Sequence, residues 1–335
     1  MIVNTEPFKR FIEIWLYLMF LLIILIVFVG GLTRLTDSGL SITEWELFKG
    51  IFPPFNSETW NFYFNQYKQV PEYKEVNFGM SISEFKTIYY WEYGHRLIAR
   101  VIGLFSILPL IYLFFRFKEN RNEITKYFII FLLICFQGFI GWFMVKSGLI
   151  NNTDVSHYRL ALHLSVAFII LSIIFFFILE NLKIQKFKNL FPKNFLIIFF
   201  LLIIIQIILG AFLAGLNGGL LYNTWPDMNG KFLPSDIVVK DVFILESADN
   251  PSVIQFYHRI IAYLILLFLI ILNYLSFKNS YNFKSLIIFN FAIFFQVLVG
   301  IITLITGVKI AYASLHQLGS ILVLTSFLFV IYKNS

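Results

Sequence analysis

Leu196-Ile197-Ile198-Phe199-Phe200-Leu201-Leu202-Ile203-Ile204-Ile205-Gln206-Ile207-Ile208-Leu209 carries one polar residue in fourteen. A strand that crosses a membrane alternates its two faces and ends after about 10 residues, and this stretch does neither. It reads as a membrane-spanning helix, and Phe20 to Val29 reads the same way. The whole chain has this character: 59% of its 335 residues are hydrophobic, 13% are charged and mean hydropathy is +0.80. A soluble domain carries roughly 25% charged residues, so a soluble globule is excluded. At about 20 residues per span, the apolar runs fall at 11–33, 89–115, 127–146, 158–181, 195–216, 253–276, 286–306 and 311–332. The predicted fold is an all-α polytopic membrane protein of eight transmembrane helices.

A sequence pI near 9.3 does not point to nucleic acid, because the basic residues lie in short loops between spans and form no separate domain. Lys9, Arg10, Arg116, Lys118, Arg121, Lys126, Lys183, Lys186, Lys188, Lys193, Lys278 and Lys284 all fall on one side. The long loops 34–88 and 217–252 are sparse in Lys and Arg. The positive-inside rule then makes both termini cytoplasmic, with residues 1–10 as a cytoplasmic tail, and turns the long loops outward. The first apolar run is too long for a signal-peptide core and is read as a span. Cys135, the single cysteine, excludes an intramolecular disulfide and a CxxC pair, and is read as a small core residue. In loop 34–88, Ser41-x-x-Glu44 and Ser81-x-x-Glu84 read as capping boxes that start short helices. Trp45, Trp60, Tyr63, Tyr67, Tyr89, Tyr90 and Trp91 suggest an amphipathic cap on the outer membrane surface.

The chain also repeats itself. At an offset of 180, Gly30, Gly39, Leu40, Trp45, Gly50, Phe52 and Pro54 meet identical residues at Gly210, Gly219, Leu220, Trp225, Gly230, Phe232 and Pro234. His95-Arg96 recurs as His258-Arg259, Phe136-Gln137 with Gly141 as Phe295-Gln296 with Gly300, and Leu162-His163 as Leu315-His316. The reading is two tandem four-helix bundles, 11–181 and 195–332. Four spans is an even number, so the repeat is parallel, unlike the inverted repeats of many transporters.

Four of the five histidines, His95, His163, His258 and His316, sit inside spans about five or six residues from the outer end, roughly 7–9 Å deep. Intramembrane ionisable groups mark function. Two histidines per bundle, on its second and fourth helices, are too few for a bare zinc or iron site and suit the two faces of a haem iron, one haem per half. The halves differ at one position. Glu92 stands one turn before His95 on the same face, whereas its repeat mate is Gln255. A carboxyl in an apolar pocket should have a raised pKa and can act as acid, base or charge stabiliser; glutamine cannot. The first site therefore reads as reactive and the second as an electron-carrying cofactor site. Arg96 and Arg259 are read as partners of haem propionates or as snorkelling to the surface, His157 as interfacial, and the Gly and Gln residues of spans three and seven as packing elements.

Together, Glu92-Tyr93-Gly94-His95-Arg96, Leu162-His163, Asn223-Thr224-Trp225-Pro226-Asp227-Met228-Asn229-Gly230, Tyr257-His258-Arg259 and Leu315-His316-Gln317, in this order across eight spans, resemble the haem A synthase family. The resemblance covers nearly the whole chain. It implies oxidation of the C8 methyl group of haem O to a formyl group, by successive hydroxylations with water as oxygen source, for terminal cytochrome oxidases. By the same resemblance His95 and His163 ligate the iron of substrate haem O, Glu92 stands beside the reacting methyl, and His258 and His316 ligate a haem B cofactor. It also implies a bacterial inner membrane or its mitochondrial equivalent, and a haem O synthase (protohaem farnesyltransferase) and cytochrome oxidase assembly factors as partners. Residues 34–88 lack the cysteine pair that some bacterial members carry there, so the chain resembles the cysteine-less branch. A b-type dihaem cytochrome subunit and a haem transporter are the alternative readings. The electron acceptor and the oligomeric state, monomer or homo-oligomer, are left open by the sequence.

Overall fold

A computed structural model describes residues 6–116, 121–186, 190–234, 236–237, 245–278 and 284–334. Lys118, Lys188 and Lys240, and residues 1–5 of the predicted tail 1–10, lie outside the described residues. Among those described, the only regular elements are helices: α1 (Glu6–Leu35), α2 (Ser57–Tyr67), α3 (Pro71–Glu75), α4 (Ile82–Ser106), α5 (Leu108–Arg116), α6 (Arg121–Asn151), α7 (His157–Asn181), α8 (Lys193–Gly215), α9 (Pro251–Lys278), α10 (Lys284–Ile305) and α11 (Ile310–Lys333), with short 3-10 turns between them. Eight segments are long and apolar enough to cross a membrane, α4 and α5 together forming one of them. The chain is a multi-pass integral membrane protein.

Two compact units divide the chain, Met1–Ile174 and Phe175–Ser335. In the first, α1 packs along α4, and α4 along α6. Trp15, 1% exposed, donates its indole N–H to the carbonyl of Phe105 at 2.9 Å, and Thr33 bonds back to Val29 and across to Trp91. Pro109 explains why α4 stops at Ser106: a proline has no N–H for the helix ladder and disfavours helix in the residue before it. In the second unit α8 packs on α9 and α10 on α11. Asn273 of α9 and Asn290 of α10 exchange two amide bonds of 2.8 Å, a polar link that suits packing in lipid. Phe199, Phe289 and Phe327 form the aromatic floor of this unit, their rings 4.7–5.6 Å apart.

The first long loop departs from the sequence reading in two ways. Ser81 and Glu84 do form a capping box, but it opens α4 itself, the second span, and not a short surface helix. That span therefore starts about two turns above the predicted boundary at residue 89. Ser41 caps nothing: its hydroxyl is 1% exposed and turns to Glu92. The short helices are α2, capped by Asn56, and α3, opened by Pro71. Their aromatic residues face one another more than an interface. Trp60, Phe64, Tyr67, Phe85 and Tyr89 are buried in one cluster with Ile42 and Val70, while Trp45 and Tyr90 stay half exposed. The expected cap is thus a small core of its own.

Glu72 of α3 lies inside that core, 4% exposed, with one carboxyl oxygen unpartnered. Burial pushes it up to about 8, and the negative charges of Glu92, Asp154 and Asp37 reinforce this; the Tyr67 hydroxyl that donates to it acts in the opposite direction. An acid whose folded-state value exceeds its ordinary value of 4.5 binds its proton more tightly when folded. Stability of the loop is then full below 4.5 and declines as pH rises through 8. We expect Glu72→Gln to flatten this decline and to raise the melting temperature at pH 9 more than at pH 5. Equal shifts at the two pH values would contradict it.

Candidate functional site

Each of the four intramembrane histidines is met by a glycine of a neighbouring helix. A Cβ on Gly30 (α1) would stand 2.9 Å from the His95 ring (α4), and one on Gly141 (α6) 3.0 Å from His163 (α7). In the second unit a Cβ on Gly210 (α8) would stand 3.3 Å from His258 (α9), and one on Gly300 (α10) 2.7 Å from His316 (α11). The absence of a side chain at these positions lets each ring sit against a helix backbone. Within each unit the two rings face each other. The ring centres of His95 and His163 are 6.4 Å apart with planes at 67°, and those of His258 and His316 are 6.3 Å apart at 75°.

Two imidazole–metal bonds of about 2 Å each, with half a ring on either side, span roughly 6 to 6.5 Å between ring centres. The ring-centre separation of each pair matches this span. No group of three or more His, Cys, Asp or Glu residues gathers to hold a metal among the described residues; a metal held by either pair would need its other ligands from a bound group such as a planar macrocycle. Polar atoms around the second pair are unsatisfied: Nδ1 of both His258 and His316, and Oε1 of Gln206 and Gln296. Both glutamines line a small cavity of about 50 Å³ together with Ala262, Ser320 and apolar residues of α8–α11.

Glutamines contact the histidines directly. The Gln137 amide lies 3.2 Å from Nδ1 of His163 and donates to that residue's carbonyl at 2.9 Å, and the Gln206 amide lies 3.2 Å from Nε2 of His258. Gly141 and Gly300 of spans three and seven are packing elements against histidine rings, and Gln137 of span three contacts a histidine as well. Their spacing, Gln137 and Gln296 each one turn before the glycine that seats a histidine, was the available signal. Cys135, expected in the core, is exposed on α6. His157 is buried at the start of α7 against Tyr158.

Glu92 does not face an apolar pocket. It is 3% exposed and lies among donors. Arg96 gives Oε1 two bonds, 3.0 Å from Nε and 2.6 Å from Nη2, while Ser41 Oγ (2.7 Å) and the Ile42 N–H (2.8 Å) bind Oε2. Arg96, its side chain 11% exposed, does not snorkel to the surface. Two more of its N–H groups donate to the carbonyls of Glu44 and Ile42, which ties α4 to the first loop. The second unit builds a related tie. Arg259 donates to the carbonyls of Tyr222 and Asp227, and Tyr222 is the repeat mate of Ile42 at offset 180. Gln255, 1% exposed, donates to the Tyr222 carbonyl at 3.1 Å and leaves its own Oε1 unpartnered. The Glu92/Gln255 exchange thus changes a carboxylate with four donors into an amide on an otherwise repeated frame. Outside the membrane, the second loop is pinned by Asp227, whose carboxylate takes bonds from the Gly230 N–H and the Thr224 hydroxyl and is held below its ordinary value by them.

Comparison with known proteins adds three findings. Residues 13–328 match the family model for the cytochrome oxidase assembly protein COX15-CtaA. The chain is 57% identical to a haem A synthase of Pelagibacter ubique over 335 residues, all of both chains. It is 44% identical to one of Rickettsia bellii over 93% of this chain and 94% of that one, and 42% identical to one of Rickettsia felis over 95% and 96%.

Proposed function

The chain belongs to the COX15-CtaA family of cytochrome oxidase assembly proteins, and on that premise we propose that it is a haem A synthase that oxidises the C8 methyl group of haem O to the formyl group of haem A. Each hydroxylation takes an oxygen atom from water and removes two electrons and two protons, and loss of water from the resulting geminal diol leaves the aldehyde. What carries the assignment of the reactive half is the single acid-to-amide difference, Glu92 against Gln255, on two frames alike in histidines, glycines and arginine ties.

In this reading the bundle 11–181 holds haem O between His95 and His163, and the bundle 195–332, its tandem parallel repeat, holds haem B between His258 and His316. A bound haem B would accept electrons singly and pass them to an acceptor outside the chain. The protein's own groups do the rest. Gly30 and Gly141 seat the two substrate-side rings, and Gln137 orients His163. Glu92, one turn from His95 and fixed from four directions, presents a negative charge that stabilises a developing cation at the oxidised carbon or takes a proton from the attacking water. Because Arg96, Ser41 and Ile42 hold that charge in place before reaction, little reorganisation is needed during it. The membrane is the bacterial inner membrane, with both termini cytoplasmic and the long loops outside. Haem O synthase would supply the substrate, and cytochrome oxidase assembly factors would receive the product.

The seating glycines provide a first test. Gly300→Ala pushes a methyl to 2.7 Å from the His316 ring, and overpacking of this kind costs about 1–3 kcal/mol. Retention of the second-unit haem should fall about tenfold, read as haem per protein after detergent washing. Gly138→Ala, whose Cβ meets nothing, should leave it unchanged. Full retention in the Gly300 variant would count against ligation by His316.

A further inference from the structure

The loop between α1 and α2 presents large apolar side chains that the small aromatic core does not use: Phe48 and Phe55 are each 79% exposed, Phe52 69%, Leu47 51% and Trp45 49%. Their backbone is fastened to the flank of α4. Tyr93 donates to the carbonyl of Ile51 at 2.6 Å, Arg96 to that of Glu44 at 3.1 Å, and Arg100 to those of Glu46 and Leu47 at 2.8 and 3.1 Å. From Tyr93 to Arg100 is seven residues, roughly 10 Å along the helix. Counted back from the far end of that span at Phe115, about 20 residues fill the hydrocarbon core. That count reaches residue 96, so the fastened segment lies across the boundary between acyl chains and headgroups.

We propose that residues 45–55 form a hairpin inserted in the lipid leaflet on the long-loop side, with Trp45, Phe48, Phe52 and Phe55 as its anchors. Irregular backbone at that depth is tolerated only where protein satisfies its polar groups, and here Tyr93 and Arg100 bind three carbonyls of the segment and Arg96 binds that of Glu44 just before it. Aromatic residues favour this zone, and the guanidinium of Arg96 lies 5.6 Å from the Trp45 ring centre. The second unit repeats the device. Arg259 and Tyr263 bind the carbonyls of Tyr222, Pro226 and Asp227, and Leu220, Leu221, Trp225 and Phe232 are exposed beside them. The inference concerns the membrane surface of the protein and stands apart from the enzymatic reading.

The single cysteine makes the test direct. In a Cys135→Ser background with the protein in phosphatidylcholine vesicles, Phe52→Cys and Phe48→Cys are labelled with a small environment-sensitive fluorophore. Asn65→Cys on the exposed face of α2 serves as the aqueous reference, and an unchanged haem spectrum certifies each fold. Nitroxide carried near the headgroup end of the acyl chain should quench the labels at 48 and 52 several-fold more than the label at 65, and iodide should show the reverse order. Iodide quenching at 48 and 52 equal to that at 65 would overturn the proposal. So would protection from both quenchers, which would mean that a second copy or another protein covers the hairpin.

Discussion

Glu92→Gln is expected to lower haem A formation by about 10² to 10³, the usual cost of removing one well-placed electrostatic contribution, while both haems remain bound. The substitution is nearly isosteric, yet it cannot reproduce the hydrogen bonds. The carboxylate accepts from Arg96 on one oxygen and from Ser41 and Ile42 on the other. A glutamine must turn its NH₂ toward one of these donor sets, which costs about 1–3 kcal/mol for the groups left unpaired and loosens the tie between α4 and the first loop. Chemistry and structure are separable by readout. Haem content and the bis-histidine spectrum report the frame, and extracted haems report the reaction, with haem O or a hydroxylated form accumulating. Wild-type conversion by the variant would show that Glu92 serves only to fasten the loop. The reverse change, Gln255→Glu, should confer no conversion in the second unit, since the haem proposed there is a cofactor.

His258→Ala and His316→Ala are each expected to abolish the tightly held b-type spectrum of the purified protein. Loss of one axial ligand opens the iron and removes one of two bonds that hold the haem. His95→Ala and His163→Ala should leave that spectrum in place and eliminate conversion. A normal bis-histidine spectrum in both second-unit variants would sink the assignment.

The spans were legible because each is a long apolar run with charges at its ends, and the structure moves their limits by only a few residues except at α4. There the sequence pattern changes from apolar to aromatic and polar above residue 89, although the helix continues upward to Ile82. Those upper turns pack into the loop core through Phe85 and Tyr89, a tertiary contact that no local periodicity encodes. Ser41-x-x-Glu44 shows the opposite failure. The motif satisfies the capping rule, but Ser41 is taken by Glu92, 51 residues away, and the helix never starts. The histidines were legible by number, depth and repetition. Their glycine seats were visible as repeated residues without a visible purpose, because only the packing of α1 with α4, α6 with α7, α8 with α9 and α10 with α11 brings each one to a ring. Glu92 and Arg96 are four residues apart, the spacing of a helical ion pair. The pattern was present in the sequence, but the loop carbonyls of Ile42 and Glu44 that share the same guanidinium are placed only by tertiary packing.

Co-expression with a haem O synthase in a host that makes no haem A, followed by chromatography of the extracted haems, tests the proposed reaction most directly. The account predicts a haem A peak that appears with the wild-type chain and is nearly lost with Glu92→Gln. Haem O as the sole product beside a correctly folded, haem-loaded wild-type protein would contradict it.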